Sequence, residues 1–144
     1  MSRGFTQATA PAVGRSRRPV GTTDNYVPPG WPSAVRPARS PDWERTASAF
    51  LLDACPPDTR GYAVLRKHPI VLAMFALRCV DAQLAACREA LSACRADLDD
   101  FVPADAIADA SQAWLELEAG LVRQRREVAL VDEALRGGVF IRRL

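Results

Sequence analysis

From Pro69 onward the chain repeats an apolar position every seven residues. Ile70, Leu77, Leu84, Leu91 and Leu98 form one row, and Ala73, Val80, Cys87, Cys94 and Phe101 form a companion row. Alternating steps of three and four place both rows on one side of an α-helix, in the pattern of a coiled-coil seam. Pro103 interrupts the pattern, because proline lacks the amide proton that a helix interior needs. A second series follows at once: Ile107, Trp114, Leu121, Val128 and Leu135, with Ala110, Leu117, Gln124 and Val131 between. Gly137 suits the stop of that helix.

The two series share one mirror point at Val102-Pro103. Leu98 then faces Ile107, Leu91 faces Trp114, Leu84 faces Leu121, Leu77 faces Val128 and Ile70 faces Leu135. This predicts a long antiparallel helical hairpin, with arms at about 69–101 and 104–136, each roughly 50 Å long. The rival is a parallel zipper between chains. A turn of a few residues gives the intrachain pairing an effective concentration in the millimolar range, which favours the hairpin.

Upstream of the hairpin the pattern changes twice. Ser40, Pro41, Asp42 and Glu44 read as a cap, a first helical residue and acids at a helix start. Trp43, Ala47, Phe50, Leu51 and Ala54 then make a stripe, which predicts a helix at about 41–54, stopped by Pro56-Pro57. Tyr62 to Lys67 suits one or two further turns before Pro69. Val71, Leu72, Met74 and Phe75 make the start of the long helix apolar on nearly every side, so the expectation is cover on several faces. Leu115 and Val122 lie off the main seam and predict a second contact, with the Tyr26–Val35 segment or with another subunit.

Residues 25–40 carry Pro28, Pro29, Pro32 and Pro37, with Pro41 beyond, which excludes a helix. Tyr26, Val27, Trp31 and Val35 are more apolar than a linker needs. The expectation is an extended proline-rich segment on a surface, that of this chain or a partner's groove. Residues 1–24 are rich in Gly, Pro, Ser, Thr and Arg and predict a disordered basic tail. The fold class is therefore all-α: a coiled-coil-like hairpin with a short N-terminal helix at its base, and a tail peptide at 137–144.

Charge adds one point. Of 19 basic and 17 acidic residues, six arginines and one acid fall in residues 1–41, leaving 13 basic and 16 acidic residues beyond. A basic arm on an acidic body predicts at most weak, non-specific nucleic-acid contact through the arm. Of the basic residues only Lys67 is lysine, and with the high alanine content this suggests a GC-rich, bacterial coding bias.

Candidate chemistry is sparse. Cys87 and Cys94 are about 10 Å apart along one helix, too far for a disulfide. There is no CxxC pair, and His68 is the single histidine, so the four cysteines read as thiols in a reducing compartment. Arg17-Arg18 lacks the apolar run of an export signal. The longest unbroken apolar run, Ile70–Leu77, is short of a bilayer span. A cytoplasmic chain without membrane contact is expected. No nucleotide, hydrolase or metalloprotease motif occurs. We expect no catalytic, cofactor-binding or metal-binding residue and no enzymatic activity.

Three features suit contacts with partners. Asp97, Asp99 and Asp100 end one arm, where acids oppose the helix dipole at a cost of about 0.3–1 kcal/mol each. Asp105 and Asp109 begin the other. A slender hairpin with such a tip resembles the secondary-channel regulators of bacterial RNA polymerase. The resemblance covers the hairpin and its acids alone, and it implies a tip that works near a catalytic magnesium. The second feature is Val139, Phe140 and Ile141, released by two glycines and able to pack back or to fill a partner's groove. The third is the Tyr26–Trp31 region. The expected partner-binding residues are thus Tyr26, Trp31, Asp99, Asp100, Asp105, Leu115, Val122, Val139, Phe140 and Ile141. They suggest an accessory or adaptor subunit of a larger protein assembly, with self-association as a further option. The alternative is a nucleic-acid- or polymerase-associated regulator acting through the tip and the basic arm.

Overall fold

The computed structural model describes residues 26–143. The expected disordered tail at 1–24 lies outside the described residues. Among these, every regular element is helical: α1 (Trp43–Asp53), a 3-10 turn (Pro57–Gly61), α2 (Ala63–Lys67), α3 (Pro69–Leu98) and α4 (Ala104–Leu135). The most extensive interface is that of α3 with α4. The two helices run in opposite directions. Asp81 pairs with Arg125 nearer the base, and Arg88 approaches Glu118 at 3.9 Å further out. At the far end Arg95 and Asp99 border the same hollow as Ala104 and Ile107.

α3 stops at Leu98, three residues before the expected end. The Phe101 and Val102 amides both donate to the Leu98 carbonyl, at 2.9 and 3.0 Å, and tighten the chain into the turn. Phe101 thereby leaves the seam and is 83% exposed.

The companion row forms the centre of the interface. Ala73, Val80, Cys87 and Cys94 are buried, whereas in the leucine row only Leu84 is. Leu77, Leu91 and Leu98 are half-buried and Ile70 is exposed. The cause is that α1 and α2 also pack on α3 and bury Leu72 and Ala76 on the flank away from the leucines. In α4, Ile107, Leu121, Val128, Val131 and Ala134 are buried, but Leu117 is exposed. The Cys87 thiol donates across the helix pair to the Trp114 carbonyl at 3.2 Å.

The core lies at the base, where all four helices meet. Leu51, Leu65, Leu72, Val80, Val128 and Val131 are fully buried there. Each such side chain contributes roughly 1.5–3 kcal/mol by leaving water. The cover is partial, however. Met74 and Phe75, expected to be enclosed, remain exposed with Ile70, because the short α2 is followed directly by α3 and no further element among the described residues lies over them.

α1 begins at Trp43 rather than at residue 41. The Ser40 hydroxyl, expected to cap it, instead donates to the Pro37 carbonyl. The residue before the helix is Asp42, held in the left-handed region at φ 69°. Its carboxylate is paired with Arg45 at 2.8 Å, and that hydrogen bond holds its pKa below the usual value.

Residues 26–40 form a string of turns, not one extended strand. The amides of Trp31, Val35 and Ser40 donate to the carbonyls of Pro28, Pro32 and Pro37 at 3.1, 3.1 and 3.0 Å. In the first turn Pro29 takes the second position and Gly30, at φ 88°, the third, as a type II turn requires. The string lies on this chain's own bundle. Val35 is in the core, the Arg36 amide donates to Thr46 Oγ1 at 3.0 Å, and Gly30 sits against Arg126 and Leu130 of α4.

α3 is long and apolar enough, by length and composition, to cross a membrane, with about a third of its most apolar window buried. Scattered alanines and cysteines supply this property, which the unbroken-run criterion does not register. In this fold α3 carries Asp81 and Arg88, both directed to partners on α4.

Candidate interaction surfaces

The C-terminal tail and the proline turns form one surface at the base. α4 ends at Leu135, and Gly137 adopts φ 91°. The Gly137 amide donates to Ala134 and the Gly138 amide to Glu133, at 3.1 and 2.9 Å. This pair of bonds is the Schellman arrangement, which satisfies the last carbonyls and reverses the chain. A Cβ on Gly138 would lie 2.8 Å from the Glu133 carbonyl oxygen, so only glycine fits. The reversal brings Phe140 edge-to-face on Trp31, with ring centroids 5.8 Å apart. Trp31 in turn donates its indole N–H to the Val35 carbonyl at 2.9 Å.

Phe140 and Trp31 therefore spend most of their apolar surface inside the chain. Their neighbours do not. Val139 is 62% and Ile141 78% exposed. With Tyr26, Pro28, Pro29 and Arg143 they line an open crevice of about 670 Å³. Arg142 lies over the Tyr26 ring at 5.4 Å, a cation–π contact. Five of the expected contact residues (Tyr26, Trp31, Val139, Phe140 and Ile141) are thus gathered in one place.

The tip is a separate surface. Asp99, Asp100 and Asp105 are all exposed, as are Asp97 and Asp109. Asp105 accepts from the Ala106 amide at 3.0 Å. None of the five is ion-paired among the described residues. Phe101 lies between them in the chain and is exposed, although the heptad places it on the seam.

Leu115 and Val122 stand on the outer side of α4 and are exposed, as is Leu117. The proline turns reach α4 at Arg126 and Leu130, one turn short of Val122.

A fourth surface was not singled out by the sequence. Met74, Phe75, Arg78, Cys79 and Ala82 line a shallow, largely apolar hollow of about 380 Å³ on α3. Its signal was present in the run of apolar residues on every side of α3. What the run could not reveal is which side stays open.

All four cysteines are free thiols. Burial pushes the Cys55 thiol up to about 11, and neighbouring Cys79 adds to the shift. Cys55 is therefore protonated at neutral pH and a poor nucleophile. Among the described residues no group of three His, Cys, Asp or Glu side chains could hold a metal ion.

No protein-family model, no curated protein and no solved structure matches this chain.

Proposed function

We propose that this protein is a non-enzymatic interaction module, an accessory or adaptor subunit that joins a larger protein assembly. The observation that carries the reading is the open apolar face at the base of α3. Ile70, Met74 and Phe75 remain exposed beside a hollow that is nearly all apolar. Contiguous apolar surface of this kind marks contact sites on soluble proteins. A cytoplasmic location belongs to the same proposal, supported by the four free thiols.

The module presents these surfaces on a coiled-coil-like hairpin formed by α3 and α4. Leu84 and Leu121, both buried on facing sides, supply a check. Cysteines placed at positions 84 and 121, with the four native cysteines replaced by alanine, should crosslink within one chain. Crosslinks found only between chains would restore the parallel zipper.

The functional test is capture of the full chain from its native host in raised salt, followed by mass spectrometry. A discrete protein assembly that is retained by the wild type and lost with Met74→Asp/Phe75→Asp is the expected result. Retention by the variant would sink the reading, since both side chains are exposed and the substitutions leave the core intact. A polymerase- or nucleic-acid-associated regulator is the second reading, favoured by the unpaired acids around Phe101. Binding of that kind through charge falls steeply with salt, which the same experiment separates.

A further inference from the structure

The two ends of the molecule carry complementary surfaces. At the tip, Asp97, Asp99, Asp100, Asp105 and Asp109 are exposed and flank the exposed Phe101 along the chain. Arg95 is the single base nearby in sequence, and none of the acids is ion-paired among the described residues. At the base, an open crevice of about 670 Å³ is lined by Tyr26, Pro28, Val139 and Ile141, with Arg143 at its rim. Arg142 stacks on Tyr26, and Arg39 borders the adjoining hollow with Tyr26 and Val139. These three arginines have no carboxylate partner among the described residues. α4 alone separates the two ends by roughly 48 Å, so neither can satisfy the other within one chain.

We propose that the acidic tip of one copy docks in the basic crevice of a second copy, so that chains associate head to tail. Phe101 is the apolar anchor, and it enters a crevice of small-ligand size whose walls are proline, valine, isoleucine and tyrosine. An aromatic side chain seated in such a pocket is the usual dominant residue of an interface. The aspartates around it meet the guanidinium groups at the rim, and this charge match sets orientation and speeds encounter. The contact is heterologous, tip to base, and each docked copy leaves one free tip and one free base. Association therefore continues into rings or open chains rather than stopping at a symmetric dimer. The proposal is independent of the adaptor reading, which rests on the face of α3.

Sedimentation velocity of the full chain over a concentration series, at low and at raised salt, tests it. The wild type should associate at low salt and dissociate as charges are screened. Phe101→Ala should weaken association roughly thirtyfold, the loss expected for a seated aromatic anchor. Asp99→Arg/Asp100→Arg and Arg142→Glu/Arg143→Glu should each remain monomeric, since the first leaves the tip without net charge (Asp97, Asp105 and Asp109 against Arg95 and the two new arginines) and the second turns the crevice negative like the tip. Mixed in equal amounts, the two charge variants should pair again, because the unaltered acidic tip of one meets the unaltered basic crevice of the other. All the altered side chains are exposed, and circular dichroism verifies that the helices persist. A wild type that stays monomeric at every concentration in low salt would overturn the proposal. So would charge variants that associate alone, or a mixture that does not.

Discussion

Truncation of Leu72 to alanine should cost the fold about 2–5 kcal/mol, the range for a fully buried leucine whose removal leaves a cavity. Leu72 is wholly inaccessible and lies where α1 and α2 pack on the first turn of α3. Two terms add. The lost methyl and methylene groups forfeit their transfer energy, and the surrounding side chains relax only in part. Total stability of a domain of this size is about 5–15 kcal/mol, so the variant loses a large share of it. Ile70→Ala, two residues away, should change stability by no more than about 0.5 kcal/mol, because its side chain is 42% exposed. Urea denaturation of both variants measures the contrast. Equal costs at the two positions would mean that the heptad row, not the observed burial, describes the core.

The second large effect is expected at Trp31. Trp31→Ala should destabilise the protein by about 2 kcal/mol, below the 3–5 kcal/mol typical of fully buried tryptophan, because the indole is only half-buried. Part of the loss is the hydrogen bond to the Val35 carbonyl, worth about 1 kcal/mol, which Trp31→Phe isolates. Another part is the edge-to-face contact with Phe140. A double-mutant cycle of Trp31→Ala with Phe140→Ala should return a coupling of about 0.5–1.5 kcal/mol. Additive single effects would show that the C-terminal tail does not rest on the indole in solution.

Much of the helical layout could be read from the residues. Pro69 and Pro103 mark the starts of α3 and α4, since proline is tolerated at a helix start and excluded from its interior. The companion row of Ala73, Val80, Cys87 and Cys94 identifies the buried side of α3 along most of its length. Residues 26–40 were legible as non-helical, but not as turns on α4. Local chemistry allows Pro-Pro-Gly to turn or extend, and the choice follows from Val35 entering the core.

The candidate surfaces divide in the same way. The tip acids were visible as an unfavourable charge run at a helix end. Phe101 was not, because three fewer helical residues rotate it from seam to solvent. Gly137 and Gly138 read as a release from α4. Of the two options this left for the tail, packing back is the one observed: bonds to Ala134 and Glu133 reverse the chain and return Phe140 to the base.

The residues alone predicted the helices and favoured their opposed order, because backbone propensity and a seven-residue repeat act within neighbouring turns. The fold settled which apolar side chains are covered. Coverage depends on how many elements converge at one point, and here α1, α2 and α4 together leave the outer face of α3, the tip and the tail crevice open.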